Sequence, residues 1–171
     1  MLTLKKFRPM MKFEFKPVGF IRTQNREISG TPIQPYYARD YTGKVEILLE
    51  YVPGLKDLDG FSHIILIYVF DRNRIGDFRL LIKPYLDNEK RGVFSTRAPR
   101  RPNNIGLSIV KVEKIMNNMI FFTGADMLDN TPLLDIKPFV PEFDYGEKFR
   151  IGWLEGKIKA DEKRQADDRF K

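Results

Sequence analysis

Residues 105–123 read I-G-L-S-I-V-K-V-E-K-I-M-N-N-M-I-F-F-T, and this stretch decides the fold class. Apolar residues recur with period two over 105–115, the pattern of an extended strand with one face buried. Asn117-Asn118 then interrupts the run. Asn tolerates a positive φ, so the pair predicts a two-residue hairpin turn, and residues 119–123 return antiparallel. The same alternation recurs along the chain. Residues 12–22, K-F-E-F-K-P-V-G-F-I-R, place Phe13 and Phe15 on buried faces around a break at Pro17, with Val18 and Phe20 as the next candidates. Residues 44–52 form a second strand closed by a Pro53-Gly54 turn. Residues 61–70, F-S-H-I-I-L-I-Y-V-F, are apolar on both faces and read as the central strand. Residues 92–97 make a short strand, and 133–136 follow a turn at 129–132.

Helical signal is confined to 152–170, which is rich in Lys, Glu, Asp and Ala but poor in apolar residues. It reads as a short helix docked by Trp153 that continues as a polar tail. The expected fold is therefore all-β and mainly antiparallel: a small barrel-like domain with a short C-terminal helix. Residues 1–11 are expected as a disordered arm, or as sequence ahead of a later start at Met11. Residues 12–150 form the β domain, and 151–171 the helix and tail.

Composition narrows the function. A chain of 171 residues suits one domain with a real core. With no Cys there is no disulfide framework, thiolate metal site or cysteine nucleophile. His63 is the only His, so no metal site is expected and a Ser-His-Asp triad is disfavoured; in its apolar strand it reads as a hydrogen-bonded core residue. The longest apolar run, 64–70, is far below the roughly 20 residues a membrane helix needs. No signal-peptide pattern opens the chain, so a cytoplasmic protein without membrane association is expected.

The net charge of +7 is unevenly placed. Residues 72–101 hold nine basic and three acidic residues, and the first ten residues add three cations. The charge centres on 94–108, F-S-T-R-A-P-R-R-P-N-N-I-G-L-S. Pro99 and Pro102 stiffen this loop, and Arg97, Arg100 and Arg101 suit bidentate capture of carboxylate or phosphate. Asn103 and Asn104 can hold a turn or read a base. A second dense stretch, 123–139, carries Asp126, Asp129 and Asp135. There Asp129-Asn130-Thr131 equally makes an Asx turn, and Asp135 can pair with Lys137 or with an Arg of the basic loop.

With Gly60-Phe61-Ser62-His63-Ile64, these two stretches resemble the TsaA/TrmO family. Its members share GFSHI, F-x-T-R-x-x-x-R-P-N-x-I-G-x-S and D-x-x-D-G-T-P-x-x-D-I-K-P-Y. The likeness spans roughly residues 18–141. Asn130 stands where the family has Gly, and Asn is the next residue able to take a positive φ. The resemblance implies a small antiparallel barrel, usually a homodimer. It also implies S-adenosyl-L-methionine bound outside any Rossmann framework. The reaction implied is N6-methylation of threonylcarbamoyladenosine, next to the tRNA anticodon. Some bacterial members carry an additional C-terminal domain.

Matched residue by residue, the resemblance puts Pro35, Tyr36, Tyr37, Asp71, Arg72, Arg97, Leu107, Thr123, Gly124, Ala125 and Asp126 at the cofactor. Arg97 is expected to engage a carboxylate, of the donor or of the threonyl group, and Arg100 and Arg101 to meet RNA phosphates. Asn103 holds the loop or contacts the base, and Asp126 or Asp129 is the expected base. Two rival readings stand beside this one: an S-adenosylmethionine enzyme with another methyl acceptor, and a non-catalytic RNA-binding module.

Overall fold

Six strands close on themselves because each carries apolar residues at every second position. The structure is a computed structural model that describes residues 12–73, 76–144, 150–158 and 163–170. The barrel strands are β1 (Gly19–Thr23), β2 (Thr42–Ile47), β3 (His63–Val69), β6 (Ile105–Met116), β7 (Met119–Thr123) and β8 (Thr131–Pro138). Their order around the barrel is β1-β2-β7-β6-β3-β8, with β8 returning to β1. All neighbouring pairs are antiparallel. Inside lie Ile21, Val45, Ile47, Ile64, Leu66, Tyr68, Val110, Ile120, Phe122 and Leu133. The short strands β4 (Leu81–Ile82) and β5 (Arg91–Gly92) pair outside the barrel.

The decisive hairpin forms as the sequence predicts. Met116 pairs with Met119, and Asn117 has a φ of +54°. Asn130 likewise sits at +66°, so the turn before β8 survives without glycine. The strand β3 lies between β6 and β8. Its Ile64, Leu66 and Tyr68 are buried inside, while Ile65, Ile67 and Val69 stay half-buried on the outer face.

Several boundaries move. Phe13 and Phe15 are 71% and 68% exposed, because ladder contacts begin only at Val18, after a proline with no N–H to give. Beyond β2 the chain turns into a 3-10 run at Leu49–Leu55, with the expected Pro53-Gly54 turn inside it. The strand expected over 92–97 stops at Gly92 and winds into a 3-10 turn at Val93–Ser95.

No α-helix forms at 152–170 among the described residues. Gly152 and Gly156 take φ values of +58° and +71°, which a right-handed helix does not permit. Only 3-10 turns at Gly152–Leu154 and Asp168–Phe170 form there, while a four-residue α-helix, α1, stands at Pro141–Asp144. Trp153 does dock, its Nε1 donating to Ser95 O at 2.7 Å. The end of the chain is no polar tail: Phe170 is buried in a second cluster with Ile82, Ala98 and Tyr85. The expected arm over 1–11 lies outside the described residues.

Candidate functional site

Alternation along β6 turns Gly106, Ser108 and Val110 inward, and Ser108 is the polar exception in that row. Its Oγ donates to Asp126 Oδ1 at 2.7 Å, and Tyr68 OH lies 3.1 Å from the same Oγ. With Asp126 ionised, the serine proton belongs to the carboxylate, so Tyr68 donates to Ser108. Tyr68 fits only because its register partner is Gly106. A Cβ there would stand 2.2 Å from the Tyr68 ring.

Burial pushes the Asp126 carboxyl up to about 7. The Ser108 bond, a backbone bond and the Arg97 charge pull it back only in part. Burial, then the Asp126 charge, raises the Tyr68 phenol well above its ordinary range. The hydrogen-bonded chain Tyr68–Ser108–Asp126 thus ends on a carboxyl held near 7.

These groups open onto a cleft of about 1800 Å³. That exceeds the roughly 300–1,000 Å³ usual for a single small-molecule site, so a second group has room beside the first. Arg97 reaches across it, Nη1 donating to Gln34 Oε1 at 2.9 Å. Gln34 opens the 3-10 turn Pro35–Tyr37. There Tyr36 meets Tyr37 edge-on at 5.1 Å and lies under the Arg39 guanidinium. Asp71, Arg72, Leu107, Thr123 and Gly124 also line the cleft, with Asp71 and Arg72 3.9 Å apart as an ion pair. Thr123 donates to Glu113, whose carboxyl Lys111 and Thr123 together hold below its usual range. The expected cofactor residues are therefore brought together around one cleft. The exception is Ala125, fully buried behind it.

The loop carrying Asp126 is fastened from β1. Gly124 takes a φ of +98° and donates to Tyr41 O. Buried Asn25 donates to the carbonyls of Ala125 and Met127, each at 3.1 Å. Asp129 belongs to this fastening. It accepts from the Thr23 N–H at 3.0 Å and pairs with Arg26. Asp135 pairs with Lys137 at 2.8 Å, one of its two expected partners.

The other loop residues make contacts within the chain. Arg101 spends its Nη1 on the carbonyls of Val93, Thr96 and Ala98, at 3.2, 2.8 and 3.4 Å. Arg100 pairs with Asp77 at 3.0 Å and donates to Phe170 O. Arg100 and Arg101, both expected at RNA phosphates, thus also brace the loop that presents Arg97. Asn103 is exposed outside the cleft, and its carbonyl accepts from Ile105 N at 2.7 Å. His63 is half-buried, with Nδ1 3.0 Å from Ser62 Oγ and its ring edge-on to Phe139. Sequence reasoning passed over Ser108, Tyr68, Gln34 and Asn25. For Ser108 the signal was present, since a hydroxyl in an inward-facing apolar row needs a partner.

Comparison with known proteins agrees with this geometry. The family described as tRNA-methyltransferase O N-terminal domain matches residues 20–145. A probable S-adenosyl-L-methionine-binding protein of Pyrococcus abyssi is 49% identical over 91% of this chain and 84% of its own length. The tRNA (adenine(37)-N6)-methyltransferase of Escherichia coli is 32% identical over 77% of this chain and 60% of its own. The mouse protein of that name is 32% identical over 85% of this chain, which spans 35% of it. A crystal structure of TrmO from Pseudomonas aeruginosa superposes with a TM-score of 0.71 at 34% identity, covering 86% of this chain and 63% of that one. The chain thus spans most of the Pyrococcus protein but little more than a third to three fifths of these named methyltransferases. With the family model matching most of its length, the chain belongs to the tRNA-methyltransferase O N-terminal domain family.

Proposed function

We propose that this chain is an S-adenosyl-L-methionine-dependent tRNA methyltransferase, acting on N6 of threonylcarbamoyladenosine beside the anticodon. The observation that carries the reading is the buried hydrogen-bonded chain Tyr68–Ser108–Asp126 in a cleft spanned by Arg97. Family membership supplies the methyl-transfer chemistry, and the names of relatives supply the tRNA adenine.

The residues fit the cofactor. A guanidinium at Arg97 matches its carboxylate, the exposed Tyr36 face suits a sulfonium or an adenine ring, and Gly124 lets backbone approach closely. When bound, the group supplies an electrophilic methyl on sulfur. Arg97 and Gln34 would hold the amino-acid end, and Tyr36 with Leu107 would cover apolar surface. The urea-like N6 is a poor nucleophile, so its proton needs a base. Ser108 occupies Asp126 Oδ1, which leaves Oδ2 to accept that proton. This scheme gives no step to Asn103, which is exposed, or to Asp129, whose carboxylate is engaged by Thr23 N–H and Arg26.

Two further assignments belong to the same reading. Ile65, Ile67 and Val69 of β3 face outward beside Ile105 and Leu107 of β6, which are 42% and 44% exposed. That apolar strip supports a homodimer, with copies meeting along β3 and β6. A tRNA substrate also supports a cytoplasmic location.

The test incubates the protein with labelled donor and tRNA that does or does not carry the threonylcarbamoyl group, then identifies the labelled nucleoside. Label only in N6-methylated threonylcarbamoyladenosine is expected. Label in another nucleoside means another acceptor, and salt-sensitive RNA binding without transfer means a binding module. Arg97→Ala is expected to weaken donor binding at least tenfold by calorimetry, as loss of one charge-assisted pair of about 1.5–3 kcal/mol requires.

A further inference from the structure

The Arg97–Gln34 contact joins two loops far apart in sequence, and both hang on one short segment at 163–170. On the Gln34 side that segment pairs like an added strand. Gly30 N donates to Ala166 O at 2.8 Å, Ala166 N to Thr31 O at 2.7 Å, and Ile33 N to Arg164 O at 3.2 Å. Gln165 bridges to Pro32 and its Nε2 donates to Tyr41 OH at 3.1 Å, while Lys163 lies 3.8 Å from Asp40.

On the Arg97 side the same segment ends in Phe170, 4% exposed, in the cluster with Ile82 and Ala98. Its ring meets Tyr85 edge-on at 5.0 Å, and its carbonyl accepts from Arg100 Nε at 3.3 Å. Ala98 is the residue next to Arg97, and Arg100 lies three positions beyond it. Ala166 and Phe170 themselves line the cleft. The match to the family model ends at residue 145, ahead of this segment.

We infer that residues 163–170 act as a positioning strap that sets the span between Gln34 and Arg97, with Phe170 and Ala166 as its two anchors. The inference rests on reading the cleft as the donor site. Neither anchor touches the reacting atoms; each acts through the loop it holds. The Phe170 cluster is separate from the barrel core, so loosening it leaves the barrel intact. A strap fixed at both ends removes loop freedom before the ligand arrives, which is how preorganisation raises affinity.

The test compares the parent with Phe170→Ala, Phe170→Leu and Ala166→Pro, the last removing the N–H given to Thr31. Amide hydrogen exchange needs no donor. Phe170→Ala is expected to speed exchange at 30–38 as well as at 96–101, with β3 and β6 unchanged. Exchange raised only around 82–85 and 98 would overturn the coupling. In calorimetry with S-adenosylmethionine, Phe170→Ala and Ala166→Pro are each expected to lose about tenfold in affinity, and Phe170→Leu to recover most of it. Unchanged affinity in both, where the parent binds, would overturn the positioning role. A parent that does not bind the donor defeats the donor-site reading instead, while the exchange result still decides whether the strap couples the loops.

Discussion

Asp126 holds a carboxyl near 7 because burial outweighs the hydrogen bond from Ser108. As the base proposed for N6, it accepts a proton only when ionised. Turnover should therefore rise with pH through about 7 and then level, and Asp126→Asn should cut kcat by about 10²–10⁴ and abolish that rise. Donor affinity should change much less, which steady-state and binding measurements together separate. The same shift has a stability consequence with a definite sign. The folded carboxyl binds its proton more tightly than the unfolded one, whose pKa is 3.8. Stability contributed by the group is therefore full below about pH 4, falls as pH rises towards 7, and is level above. Unfolding scans at pH 5 and pH 8 should show this difference in the parent and lose it in Asp126→Asn.

Among the elements, the loop that presents Arg97 is held by its own arginines. One Arg101 nitrogen serves three carbonyls, on both sides of Arg97. Arg101→Ala should cost about 1–3 kcal/mol of stability, the range for buried acceptors left unpaired. It should leave the salt dependence of RNA binding unchanged, whereas loss of a phosphate contact would reduce that slope by about one. Thermal unfolding and a salt titration check the two halves. This loop also marks where the sequence becomes hard to read. Residue type announced an anion-binding arginine cluster, but which head faces a ligand depends on carbonyls brought in by folding. The hairpin at Asn117 was legible because alternation and positive φ are local. The strap was not, because its strand-like form comes from pairing with residues some 130 positions away. Asp126 and Arg97 were legible from their motifs, while Tyr68, Gln34 and Asn25 became visible only once the barrel set their neighbours.

For the whole molecule, closure of the barrel gives each of its six strands a paired neighbour on both sides. The apolar strip on β3 and β6 is the face proposed above for self-association. Ile67→Glu, placed in mid-strip and half-buried, should shift a dimer to monomer in sedimentation, with the fold kept because its side chain points away from the core. The +7 is also less available than it looks. Arg91 is paired with Asp87 and Glu89, Arg100 with Asp77, and Arg101 with backbone.

The seam between β1 and β8 orders events in time. Thr23 and Asp129 stand 106 positions apart, so their contact forms only after a long loop has closed, whereas the Asn117 hairpin is local and quick. The loop carrying Asp126 lies between β7 and β8 and is fastened by Asn25, just past β1. Ring closure and assembly of the catalytic pocket are therefore one event, and a half-folded chain has no pocket to fill. A molecule bound there works as a latch on the ring, slowing the step by which the protein comes apart.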